Sequence, residues 1–93
     1  MPNHFLPDLP GQLTAIQNAI DQMETESLYR ATHTLKGSAR HMGAQRLADL
    51  SSNLETLGRQ GTTEGALELA IQLAQEAIQV KRFLHSETLA LPQ

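Results

Sequence analysis

ATHTLKGSARHMGA, residues 31–44, decides how this chain is read. Its apolar residues fall at helical steps. Leu28 lies just upstream, Leu35, Ala39 and Met42 follow, and Ala31 or Thr32 fills the gap. At about 100° per residue, Leu35 points about 200° away from His33. Leu28 and Ala39 share the side away from His33, so these positions form a core stripe. His33, Lys36, Gly37 and Arg40 stand at i, i+3, i+4 and i+7 and form a second stripe facing solvent, with Arg30 at its upstream end. Gly37 is therefore expected on the outer face, about 40° from His33. An exposed mid-helix glycine costs about 1 kcal/mol relative to alanine, and close helix packing does not explain it there. Access does: without a side chain at 37, another molecule can come close to the imidazole. The plain alternative is a tolerated surface glycine.

Three more segments repeat the helical spacing. Leu6, Leu9, Leu13, Ile16, Ile20 and Met23 mark the first, with Pro7 and Pro10 suited to its entry or first turn. The second, which holds the opening stretch, runs from about Thr25 to Met42. Thr25 is its expected N-cap, Glu26 puts negative charge in its first turn, and Gly43 suits the residue past its end. The third carries Leu47, Leu50, Leu54 and Leu57 and stops at Gly61. The fourth starts after Thr62 or Thr63 and continues to about Thr88. Its stripe is Leu69, Leu73, Ala77, Val80 and Leu84, with Leu67, Ile71, Ala74 and Ile78 beside it. The links are short, which forces neighbouring helices antiparallel. The expectation is an all-α protein, an antiparallel up-down-up-down four-helix bundle. It spans 1–93 as a single domain, with a helical core of about 6–88 and loose ends at 1–5 and 90–93.

Composition agrees with helices. The chain has 93 residues, 40% hydrophobic but only 3% aromatic, so its core must come from Leu, Ile, Ala and Met. There is no cysteine, which excludes disulfides and thiolate-bound metals. No apolar run approaches the roughly 18 residues a membrane span needs, so no membrane insertion is expected. No signal peptide is visible, and a cytoplasmic setting fits. The net charge of −3 argues against a nucleic-acid partner. Yet from Ser27 to Ala48 there is no acidic residue, while Arg30, Lys36, Arg40 and Arg46 lie there, four of the seven basic residues. A mildly acidic protein thus concentrates one basic patch around the opening stretch, a surface suited to something anionic.

The residues of that face form a set. Imidazole is a nucleophile partly neutral near pH 7. Lys36, one turn away, can supply a point charge to a phosphoryl oxygen. Arg30 and Arg40 add positive potential, and Gly37 removes the steric barrier. Together they suit a histidine that carries a phosphoryl group delivered by another protein.

The segment HTLKGSA, His33 to Ala39, is followed by Met42-Gly43-Ala44, Leu47 and Leu54-Glu55. This pattern resembles the histidine-containing phosphotransfer (HPt) domains of bacterial phosphorelays, over about residues 6–88. The resemblance implies that His33 accepts a phosphoryl group from the aspartate of a receiver domain and passes it to another receiver or back. It implies that Lys36 orients and neutralises that group and that Gly37 leaves room for the receiver. Ser38 matches the small residue that follows. Arg30, Ser38 and Arg40 are the candidate partner-binding residues, Arg40 on charge alone. The implied partners are receiver domains of response regulators or of hybrid histidine kinases. Mg²⁺ belongs to the receiver, and no cofactor or metal is expected in this chain. No Gly-rich nucleotide loop is present, so the chain is expected to be a phosphotransfer protein and not an autonomous enzyme. It is either free-standing or the cytoplasmic end of a membrane-bound hybrid kinase. Many such domains have a polar residue that bonds the second imidazole nitrogen. Arg30 and residues of the first helix are candidates by proximity.

Other groups read as surface. His33 and His41 are about 80° apart around the helix and two turns apart along it, poor geometry for a shared metal. His4 and His85 sit near the ends. Asp49 and Glu55 are six residues apart, do not face one another, and read as surface charges. A monomer is the simplest expectation. The alternative function is a helical adaptor that binds a receiver or kinase domain without being phosphorylated.

Overall fold

A computed structural model describes residues 5–90, with side chains described for residues 8–82. It contains four helices: α1 (Phe5–Asp21), α2 (Thr25–His41), α3 (Gln45–Arg59) and α4 (Ala66–Ala90). Each packs on two neighbours, α1 on α2 and α4, and α3 on α2 and α4, as in a four-cornered bundle. The cross-helix contacts run in opposite directions. Gly58 meets Thr25 and Tyr29, whereas Glu55 meets His33 and Lys36, so α2 and α3 are antiparallel. No helix among the described residues is long and apolar enough to cross a membrane.

The expected stripes close the core. Leu9, Ile16 and Ile20 of α1 are buried with Leu28, Leu35 and Ala39 of α2, Leu47, Leu50 and Leu54 of α3, and Leu73 and Ala77 of α4. Thr32 fills the gap in α2, fully buried, and its hydroxyl donates to the Leu28 carbonyl at 2.7 Å. That bond removes the penalty of burying the oxygen. Leu13, Met42, Leu57, Leu69 and Val80 pack at the edge.

Helix ends account for most of the departures. Three helices stop in the same hydrogen-bonded motif, with one residue in the left-handed region. At the end of α2, Gly43 has φ 78°; its N–H reaches the Arg40 carbonyl and the Ala44 N–H reaches Ala39. Gly61 ends α3 in the same way. In α1 the position falls to Met23, at φ 56°. Met23 therefore leaves the helical stripe and is 71% exposed, not core as its spacing suggested. Thr25 is already the first residue of α2, and Glu24 caps it through its backbone without a side-chain bond. Pro10 lies inside α1, whose start at Phe5 precedes it by more than a turn. Residues 60–65 separate α3 from α4, because Gly65 at φ 82° delays the helix to Ala66.

In α4 the second apolar row does not pack. Leu67, Ile71 and Ile78 are about half exposed and Ala74 is exposed, while Ala66 and Ala70 take the buried positions. The small alanines let α4 approach its neighbours, and that turns the larger side chains outward. Helix α1 already includes Phe5 and α4 continues to Ala90, at the margins of the span read from the sequence. The expectations for the side chains of Leu6, Pro7, Leu84 and His85, for His4, and for residues 1–4 and 91–93 lie outside the described residues.

Candidate functional site

Helices α2 and α3 approach most closely along a seam of small residues. On α3, Ala48, Ser51 and Gly58 are buried in one row beside the leucine stripe. A Cβ at Gly58 would stand 2.7 Å from the Tyr29 backbone nitrogen and 2.9 Å from the Thr25 carbonyl oxygen. Gly58 is thus the glycine that close helix packing requires. Gly37, by contrast, is exposed and a Cβ there would meet nothing within 4 Å. One charged residue stands in the row of small ones. Glu55 is 2% exposed, and the narrow seam carries its carboxylate across to α2.

Glu55, a surface charge by its spacing from Asp49, is instead the buried hub of the site. Its Oε2 accepts a hydrogen bond from His33 Nδ1 at 2.6 Å, and its Oε1 pairs with Lys36 Nζ. Arg59 Nη2, one turn along α3, lies 3.7 Å from Oε2. Burial alone would push the Glu55 carboxyl up. The hydrogen bonds from Lys36 and His33, and their positive charge, outweigh burial and hold it below its ordinary 4.5. Glu55 is therefore ionised at neutral pH and can only accept. Nδ1 of His33 must then carry the ring proton, which leaves the Nε2 lone pair free in the neutral ring. The His33 side chain is 60% exposed, so the edge away from Glu55 is open to solvent. The ring also stacks on Tyr29, centroids 5.9 Å apart and planes 20° from parallel. Arg59 lies over the other aromatic partner, its guanidinium carbon 5.7 Å from the Tyr29 centroid.

His33, Lys36 and Gly37 thus share one face, and Ser38 and Arg40 follow them, Ser38 half-buried and Arg40 exposed. Arg30 does not reach the second imidazole nitrogen. It pairs with Glu26 of its own helix at 3.1 Å, and the nitrogen goes to Glu55 of α3, not to a residue of the first helix. Arg46 leaves the face altogether and pairs with Glu76 of α4 at 3.3 Å. The acid-free window of the sequence is therefore not acid-free in space: Glu26, Glu55 and Glu76 each return a carboxylate to it. Glu55, Tyr29, Arg59 and Gly58 are what sequence reasoning missed. A signal was present. The row Ala48, Ser51, Glu55, Gly58 has helical spacing, and a lone acid among small residues on an inner face needs a partner.

No group of three or more potential metal-ligating residues occurs among the described residues. The arrangement can present a nucleophilic nitrogen, fixed in tautomer and flanked by cations, to an incoming molecule. Comparison with curated proteins gives no match, and comparison with solved structures gives none. The family model of the Hpt domain matches residues 2–83, and on that match the chain belongs to the Hpt family, the histidine phosphotransfer modules of phosphorelays that interact with receiver domains.

Proposed function

We propose that this chain is a phosphorelay intermediate whose phospho-accepting atom is His33 Nε2. The observation that carries the reading is the bond from His33 Nδ1 to Glu55, which fixes the tautomer and leaves Nε2 as the nucleophile. In the forward step, Nε2 attacks the phosphorus of a receiver's aspartyl phosphate. An N–P bond forms as the O–P bond to the aspartate breaks, and the aspartate leaves as a carboxylate. The ring gains positive charge as that bond forms, and the Glu55 carboxylate on Nδ1 offsets it. Lys36 has three donors. One is held by Glu55, and two remain for phosphoryl oxygens. The reverse step delivers the group to the same or another receiver. Such transfer depends on alignment and charge stabilisation more than on acid–base chemistry. Gly37 supplies clearance for the receiver, and Arg40 and Ser38 lie where its surface would rest. Mg²⁺ belongs to the receiver's side of the encounter.

The test is uptake of label from a phosphorylated receiver. The expected product is an acid-labile, base-stable phosphate on the wild-type chain and none on His33→Gln. Binding of the receiver with no transfer would favour the adaptor reading. Labelling of His33→Gln at the wild-type rate would move the site elsewhere.

A further inference from the structure

The bond to Glu55 fixes which nitrogen carries the proton only while the ring stays in place, and His33 is largely exposed. An exposed imidazole held at one atom can rotate about its side-chain torsions. Two residues outside the acid–lysine–histidine cluster oppose this. Tyr29, one turn before His33 on α2, stacks against the imidazole, its ring centroid 5.9 Å away and its plane 20° from parallel. Arg59, one turn after Glu55 on α3, sits over the Tyr29 ring and also lies near the Glu55 oxygen that takes His33 Nδ1. The four residues form two rungs between antiparallel helices, His33 with Glu55 and Tyr29 with Arg59. Gly58 brings the backbones together at the second rung.

We propose that Tyr29 and Arg59 are positioning residues that hold the His33 ring with Nδ1 on Glu55 and Nε2 facing the incoming group. The inference rests on the reading of His33 as the accepting residue. Neither residue needs to touch the phosphoryl group. Tyr29 acts on the ring, and Arg59 acts on Tyr29 and on Glu55.

The experiment follows the imidazole nitrogens of the full chain by ¹H–¹⁵N NMR, at a pH where the ring is neutral, with His33 assigned by its loss in His33→Gln. The wild type is expected to show His33 protonated on Nδ1. Tyr29→Leu keeps apolar bulk without an aromatic face. It is expected to give a mixed, averaging tautomer and a loss of about two- to tenfold in phosphoryl uptake, the range a stacking contact can supply. Arg59→Ala is expected to move both readouts in the same direction, and Tyr29→Phe to restore both. The proposal is overturned if Tyr29→Leu remains folded with an unchanged Nδ1–H signal, or if Tyr29→Phe behaves like Tyr29→Leu. Should the wild type take up no phosphoryl group, the functional reading fails, while the nitrogen spectra still decide whether the two residues hold the ring.

Discussion

At the scale of single residues, Gly37 and Glu55 make opposite predictions for stability. A side chain at 37 enters open space. Gly37→Ala should stabilise the helix by about 1 kcal/mol and leave transfer nearly unchanged. Gly37→Leu should also fold, with a melting temperature at or above wild type, yet transfer more slowly because the cost falls on the encounter with the receiver. A Gly37→Leu protein that unfolds, or that transfers at the wild-type rate, would remove the clearance role. Glu55→Gln should lower both stability and transfer. It leaves the Lys36 ammonium, only 16% exposed, without its anion, at a cost of about 1–3 kcal/mol. It also lets the amide donate or accept, so His33 loses its fixed tautomer, and uptake should fall even where the chain is fully folded. Asp49→Asn, by contrast, should lie within about 0.5 kcal/mol of wild type, since Asp49 is exposed and its hydrogen bond is to Gln45 of its own helix. In sequence the two acids look alike, six residues apart on one helix. What separates them is the neighbouring helix. No wheel of α3 alone can show that Glu55 faces His33, whereas the exposure of Gly37 follows from α2 by itself.

At the scale of elements, the leucine positions were legible because a 3.6-residue period is enough to place a core stripe. Leu28, Leu35, Leu47, Leu54 and Leu73 all lie where that period puts them. The small residues were not legible in the same way. A buried Ala, Ser or Gly carries no hydrophobic signal of its own, and its role is to set how near two helices come. Ala66 and Ala70 displaced Leu67 and Ile71 from the core for that reason, and Gly58 set the α2–α3 separation. Gly58→Ala tests the seam. Its methyl would press on backbone atoms of Tyr29 and Thr25, which cannot swing aside as a side chain can. The expected loss is about 1–3 kcal/mol in a denaturant titration. The same change should lengthen the His33–Glu55 bond, seen as altered His33 ring nitrogen shifts. Wild-type stability and spectra in Gly58→Ala would mean that α2 and α3 have slack the backbone distances do not suggest.

At the scale of the whole molecule, the charges are arranged against the sequence average. A chain of net charge −3 buries one carboxylate among His33, Lys36 and Arg59 and leaves the other described acids near the surface. Part of the stability should therefore depend on acid through Glu55. The Glu55 carboxyl is held below its ordinary 4.5 in the folded state, so the unfolded chain takes up the proton first on acidification. Its contribution is complete above that ordinary value. It declines as pH falls below 4.5 and is gone once pH passes the depressed folded value. The contribution is isolated by comparing wild type with Glu55→Gln in urea titrations at neutral pH and at several values below 4.5. The stability gap should narrow as pH falls below 4.5, because the wild-type side chain becomes neutral as the amide already is. A gap of constant size across that range would mean that Glu55→Gln acts through packing alone, and that the ionised carboxylate is not what joins α3 to the His33 face.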